Sequence, residues 1–165
     1  MASRTAVVIT VSDSSFRGER EDLSGPAVRE ALEDRGFNVL GSAIVPDEPA
    51  QLRDAILDAT REAVLIVTTG GTGIAPRDIT PDVTRELCDK LIEGIPERMR
   101  AEGAKQTPQA ILSRAACGTR GKALILNLPG SPKGATESLG AVVDLLPHII
   151  DLLNGETGHS SVSTG

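Results

Sequence analysis

The residues of this chain that could do chemistry fall in four short polar stretches, each behind an apolar run. They are Ser12-Asp13-Ser14-Ser15, Pro46-Asp47-Glu48, Gly70-Gly71-Thr72-Gly73 and Pro129-Gly130-Ser131-Pro132-Lys133-Gly134. In the third, preceded by Thr68-Thr69, glycines and hydroxyl donors follow a buried run, where backbone N–H groups can turn inward on a phosphate. It is not a Walker A loop, which needs GxxxxGK[ST]; the Gly121-Lys122 pair is followed by Ala123. Nor is it a dinucleotide fingerprint, because Ala75-Pro76 stand where the third glycine and the helix start belong. The glycines alone leave a tight structural turn and an anion loop both open.

Arg77-Asp78-Ile79-Thr80-Pro81-Asp82 adds an arginine and two carboxylates around the start of a helix capped by Thr80, an end that itself favours anions. Asp82 fits either an acidic first-turn residue or a catalytic one, whereas Asp78 lies before the cap and has no such structural reason. Asp47 and Glu48, between Pro46 and Pro49, could cap the helix that follows. The alternative is that Asp47 and Asp78 hold Mg²⁺, which is usually bound by one or two carboxylates plus substrate phosphates. Metal and backbone donors together suit nucleotidyl transfer. Pro129–Gly134 is either a second phosphate loop, with Lys133 as its cation, or a plain strand-to-helix turn. His148 and His159 make no Ser/His/Asp or Cys/His constellation, so any acid–base work falls to the aspartates.

Short β-branched runs alternate with segments of helical spacing, the pattern of β-α-β units on a mostly parallel sheet. Four runs are expected as buried strands: Ala6–Val11, Val39–Val45, Ala63–Thr69 and Ala123–Leu128. Runs apolar on both faces place the sheet in the middle of a three-layer α/β/α domain. Ser24 as N-cap and Pro26 open a helix through Arg35 that Gly36 ends. Leu52, Ala55, Ile56 and Ala59 mark a second helix, and Thr80-Pro81-Asp82 opens a third with Val83 and Leu87 inward. Ile95–Lys105 reads as a helix, Ala110–Ser113 as a short strand, and Thr136–Leu153 as a helical region interrupted at Pro147. One domain over residues 1–154 is expected, with Gly155–Gly165 as a disordered tail. In a parallel α/β sheet, ligands bind beyond the carboxyl ends of the strands, so the four polar stretches converge on one pocket.

Composition narrows the partners. A chain of 165 residues fits about one domain and can bury a core without disulfides. Two Phe, no Tyr or Trp, and a net charge of −6 argue against nucleic-acid binding, which needs stacking platforms and basic surface. Cys88 and Cys117 are too few for a disulfide scaffold or a zinc site and read as buried thiols. No run approaches the ~20 apolar residues of a membrane span, and the N-terminal residues lack a signal h-region; the cytoplasm is expected.

Together, Val11–Asp13 (VSD), Ser24-Gly25, Val45–Glu48 (VPDE), Thr68–Asp82 (TTGGTG with RDITPD), Ile111–Arg114 (ILSR) and Asn127–Gly134 (NLPGSPKG) resemble the MogA/MoaB family of molybdenum cofactor biosynthesis proteins, in order and spacing from about residue 5 to 155. The resemblance implies adenylylation of molybdopterin by Mg-ATP, with release of pyrophosphate, on a three-layer α/β fold. Asp47 and Asp78 match the acids regarded as essential in the family, and Gly70–Gly73 match its pterin and phosphate loop. Ser113 matches a serine lining the site and Gly130–Ser131 the loop near the nucleotide. The wider expected binding set is Ser12, Asp13, Thr69, Gly70, Gly71, Thr72, Gly73, Thr80, Asp82, Ser113, Pro129, Gly130, Ser131 and Lys133. A homotrimer, or a hexamer, and a molybdate-inserting MoeA-type partner are implied as well. The competing implications are a non-catalytic pterin-binding scaffold, as in gephyrin, and a nucleotide pyrophosphate hydrolase, as in the CinA family.

Overall fold

The computed structural model describes residues 3–156. Of the expected tail, residues 157–165 lie outside that range. Three sequence runs form the middle of the sheet because they are apolar on both faces: β1 (Thr5–Val11), β3 (Leu65–Thr69) and β6 (Ala123–Leu128). Every residue of β3 and β6 is buried. The full order is β2-β1-β3-β6-β5-β4, with β2 (Asn38–Val45) on one edge, where, against expectation, only Val39 is buried. On the other side lie β5 (Cys117–Arg120) and β4 (Lys90–Leu91).

The register explains the three layers. Ala6 aligns with Leu65 and Leu65 with Leu124, while Val7 aligns with Ile66 and Ile66 with Ile125. Alternate side chains then face opposite sides. Ala6, Val8, Leu65, Val67, Leu124 and Leu126 meet α2 (Ser24–Glu33), α5 (Gly94–Ala104), α6 (Pro132–Val142) and α7 (Leu146–Leu153). Val7, Ile9, Ile66 and Ile125 meet α3 (Pro49–Glu62) and α4 (Thr80–Leu87). Strands β2, β1, β3 and β6 run parallel, so their carboxyl ends share one edge.

One end of this sheet is antiparallel, which the runs of β-α-β spacing do not foretell. β5 and β6 form a hairpin closed by Gly121 and Lys122, with Arg120 opposite Ala123, and Gly121 takes φ +56°. A two-residue hairpin loop with glycine at its first position is the signal that was there to be read. Ala110–Ser113 is not a strand: Pro108–Leu112 is a 3-10 turn, with Pro108 in the first turn, where a missing N–H costs nothing, and Ile111 and Leu112 on the surface. The last helical region begins earlier than expected, at Pro132. It breaks as a 3-10 turn at Val143–Leu145, and Pro147 sits in the first turn of α7 rather than at the break. Ser24 does not cap α2; the Asp22 carboxylate accepts the Gly25 N–H at 3.0 Å. The expected stretch after β1 is itself a one-turn helix, α1 (Asp13–Phe16), capped by Ser12 Oγ accepting from the Ser15 N–H.

Candidate functional site

At the carboxyl edge the loops after β1, β2, β3 and β6 enclose a cavity of about 500 Å³. The polypeptide leaves β1 toward one side of the sheet and β3 toward the other, which is where an α/β sheet opens a crevice. Of the expected residues, Ser12, Asp13 and Thr69 line it, together with Gly70 and Gly71. Asp47 and Asp78 both line it, and Gly130 and Ser131 close it at the start of α6. Ser131 Oγ caps that helix by accepting the Gly134 N–H at 3.0 Å.

The other expected residues sit elsewhere. Gly73, Ser113 and Pro129 line a second, more apolar cavity of about 390 Å³ that shares Ser131 with the first. Lys133 lines neither cavity; its side chain is 81% exposed, with its Nζ 4.0 Å from Glu137. Thr72 is buried, and its carbonyl accepts the Arg114 N–H at 2.8 Å. Asp82 is held by Arg114 Nη1 and Nη2 at 3.0 and 3.1 Å, which keeps its carboxyl below the usual range and supports its structural reading. Thr80 does not cap α4 with its side chain; its hydroxyl is buried without a hydrogen-bond partner.

Close packing explains the glycine pair. A Cβ on Gly70, which has φ +105°, would run into the Val11 carbonyl. A Cβ on Gly71, with φ +67°, would lie 2.5 Å from Thr80 Oγ1 and 3.0 Å from Asp47 Oδ1. The Gly70 N–H is already given to the Leu128 carbonyl at 3.0 Å, so it cannot join a phosphate cradle; the N–H groups of Gly71, Thr72 and Gly73 remain for one.

The carboxylates differ in their surroundings. Asp47 Oδ2 accepts the Asp13 N–H at 3.0 Å, and the Asp47 N–H returns to Asp13 Oδ1 at 2.9 Å. Burial pushes the Asp47 carboxyl up; the Asp13 N–H opposes this, and the Asp13 and Asp78 carboxylates add to it. The Arg77 guanidinium holds Asp13 below its ordinary value, from 2.6 Å. Asp78 Oδ2 accepts the Ala75 N–H at 2.9 Å, which turns the loop back on itself.

Arg114, the last residue of the ILSR motif and without an expected role, braces this edge: its Nε bonds the Gly73 carbonyl at 2.8 Å and its Nη2 the Asp78 carbonyl at 2.7 Å. Beneath it, Asn127 in β6 is fully buried and donates to Thr68 Oγ1 and Thr84 Oγ1, both at 2.9 Å. Its Oδ1 accepts the Ala116 N–H at 3.1 Å. A polar residue inside an otherwise apolar strand run was its sequence signal.

Hard oxygens suit Mg²⁺. Asp47 Oδ1 and the partnerless Thr80 Oγ1 crowd the same face of Gly71, and Asp78 lines the same cavity. Among the described residues no cluster of three or more His, Cys, Asp or Glu could hold a metal alone, so such a cation would be completed by phosphate and water.

Residues 7–148 match the family described as "Probable molybdopterin binding domain". The chain is 43% identical over 152 residues to the molybdopterin adenylyltransferase of Helicobacter pylori strain J99, spanning 90% of this chain and 86% of that protein. Against the molybdopterin adenylyltransferase of Escherichia coli K12 the identity is 36% over 164 residues, spanning 90% and 84%. The solved structure of the molybdopterin biosynthesis enzyme MoaB from Thermus thermophilus superposes with a TM-score of 0.86 at 52% identity, covering 92% of this chain and 96% of that one.

Proposed function

The chain belongs to the molybdopterin-binding domain family, and from that premise we propose that it transfers the adenylyl group of ATP to molybdopterin in molybdenum cofactor biosynthesis. The observation that carries the reading is that Asp47 and Asp78, close enough for the Asp78 charge to act on the Asp47 carboxyl, line the same 500 Å³ cavity as Gly130 and Ser131 at the start of α6. In this reaction an oxygen of the molybdopterin phosphate attacks the α-phosphorus of ATP. The bond from that phosphorus to the bridging oxygen breaks, and pyrophosphate leaves with the electron pair. Mg²⁺, when bound, neutralises phosphate charge.

Asp47 and Asp78 supply the anionic oxygens for that cation. The buried Thr80 hydroxyl lies with Asp47 Oδ1 against Gly71, and the Gly71–Gly73 backbone offers N–H donors to the phosphates. Ser12, Asp13, Thr69, Gly130 and Ser131 shape the polar cavity, and Ser113, Gly73 and Pro129 extend the site into the apolar one. The start of α6 favours anions through its helix dipole. Asp82 and Lys133 lie to the side in this reading.

A homotrimer belongs to the same proposal: Ile74, Ile111 and Leu112 are 72%, 64% and 51% exposed, an apolar surface that assembly would cover. So does hand-over of the adenylylated pterin to a molybdate-inserting protein. The cytoplasm as the compartment of the reaction is part of the same proposal. Among the described residues no helix is long and apolar enough to cross a membrane.

The test is incubation of the purified chain with molybdopterin and Mg-ATP, following AMP transfer, with Asp47→Ala and Asp78→Ala alongside. Pterin-dependent transfer that is lost in both variants is expected. Tight pterin binding without transfer by the unaltered chain would replace this reading with a binding role.

A further inference from the structure

Asp47 and Asp78 sit on loops that the sheet does not join. The first follows β2 and the second follows β3, with β1 lying between those strands. One side chain spans the gap. Arg77 Nε and Nη2 bond Asp13 Oδ2 and Oδ1 at 2.6 and 3.1 Å. The same Nη2 reaches the Asp47 carbonyl at 3.3 Å and Glu48 Oε1 at 2.9 Å. Asp13 in turn holds Asp47 twice, by its N–H on Asp47 Oδ2 and by its Oδ1 on the Asp47 N–H.

Three loops are thereby closed into one hydrogen-bonded ring. Asp47 Oδ2 is occupied, so its carboxylate cannot turn freely, and Oδ1 is left beside Gly71 on the cavity side. Asp78 is the next residue along the chain from the arginine that makes the bridge.

We infer that Arg77 is a positioning residue that sets the placement of the Asp47 carboxylate relative to Asp78, acting through Asp13. The inference rests on the proposed reading that the two aspartates share a divalent cation with a nucleotide. Arg77 does not line the cavity and its side chain is 57% exposed, so it acts on the aspartates rather than on substrate. The role needs the guanidinium fork: three acceptor groups on two loops are met by one planar head, which an ammonium cannot reproduce. It also assigns Asp13 to the frame of the site, its carboxylate being spent on Arg77 and the Asp47 N–H.

The experiment compares the unaltered chain with Arg77→Gln, Arg77→Lys, Asp13→Asn and the Arg77→Gln/Asp13→Asn pair. Mn²⁺ binding is followed by electron paramagnetic resonance in the presence of a non-cleavable ATP analogue. Adenylylation kinetics and thermal midpoints are measured in parallel. Arg77→Gln is expected to weaken Mn²⁺ binding or lower kcat about 10–100-fold, as removal of a group that orients metal ligands does. Its thermal midpoint should move little, because exposed ion pairs add little to global stability.

Arg77→Lys should stay within about threefold of Arg77→Gln, since charge without the fork does not restore the bridge. The double variant should lose no more than the worse single one, because both remove the same link. Mn²⁺ affinity and kcat within about twofold of the unaltered chain in Arg77→Gln, full rescue by lysine, or additive losses would each overturn the inference. So would failure of the unaltered chain to bind Mn²⁺ with the analogue. Mn²⁺ binding that responds to Arg77 without any adenylylation would uphold the inference while removing the proposed reaction.

Discussion

Replacing Asn127 by alanine should be the most damaging polar substitution in the fold, and its size can be worked from three bonds. Asn127 gives Nδ2 to the Thr68 and Thr84 hydroxyls and takes the Ala116 N–H on Oδ1, all where solvent does not reach. Alanine leaves those three groups without the asparagine. A buried polar group stripped of its partner costs about 1–3 kcal/mol, and rotation of the two hydroxyls recovers part of that, giving about 3–5 kcal/mol in total. This is a large share of the ~5–15 kcal/mol by which a domain of this size is stable. Urea unfolding followed by circular dichroism measures it, with the slope checked to confirm that the unfolding remains two-state. A loss below about 1 kcal/mol would refute the reasoning, because it would mean that these groups find partners without Asn127. The damage should reach the site too, since Thr84 belongs to α4, whose first turn carries Thr80 beside Gly71.

Other expectations are open to simple assays. Gly71→Ala should cost about 1–3 kcal/mol for a side chain at positive φ. It should also abolish adenylylation, since its Cβ would press on Thr80 Oγ1 and Asp47 Oδ1; a fully active variant would dismiss that crowding. The acid limb of the pH–rate profile should lie above the range of an ordinary carboxylate, because burial raises Asp47 and its charged form is the one required. Asp13 has the opposite sign: its folded value is lowered by Arg77, so its contribution to stability is present above its unfolded pKa and lost as pH falls through the folded one. That contribution is small for an exposed pair, so the direct check is the Asp13 titration followed by NMR, which should lie below the ordinary aspartate value and move back toward it in Arg77→Gln; no movement would contradict the pairing. Burial pushes the Cys88 and Cys117 thiols up to about 11 and about 12, so a thiol reagent at pH 8 should label them slowly until denaturant is added. Prompt stoichiometric labelling of the native chain would count against both.

The parallel half of the fold could be read from the chain because its information is local. Runs such as Ala6–Val11 and Ala123–Leu128 are apolar on both faces, and only a covered parallel sheet uses such runs. The polar stretches behind them could then be placed on one edge by topology alone, and Asp47, Asp78, Gly70, Gly71 and Ser131 do meet there.

What could not be read is who pairs with whom at a distance. Arg114 and Asp82 are 32 residues apart and Arg77 and Asp13 are 64 apart; nothing in spacing selects those partners among the other charges. Thr80 departs from expectation for a related reason: a hydroxyl at a helix start usually caps it, but Ile79 is the N-cap and Thr80, one residue further in, turns its hydroxyl against Gly71. The β5–β6 hairpin escaped because Cys117–Arg120 is short and has no alternation of its own, although the Gly121 turn marks it. Ala110–Ser113 failed in the opposite sense, an apolar run too brief to distinguish a strand from one turn of helix.

The position of β6 bears on how the chain acquires this shape. It lies between β3 and β5, so it is the strand that joins the β2-β1-β3 half of the sheet to the β5-β4 end, yet it comes after all of them in the chain. During synthesis, β1, β2 and β3 are complete long before Leu124 can lie against Leu65, and the edge of β3 waits unpaired through the making of α4 and α5. Contacts closed over such separations slow folding and leave an open strand edge in the meantime. The apolar β3 is therefore the segment on which a chain interrupted before residue 123 would be expected to aggregate.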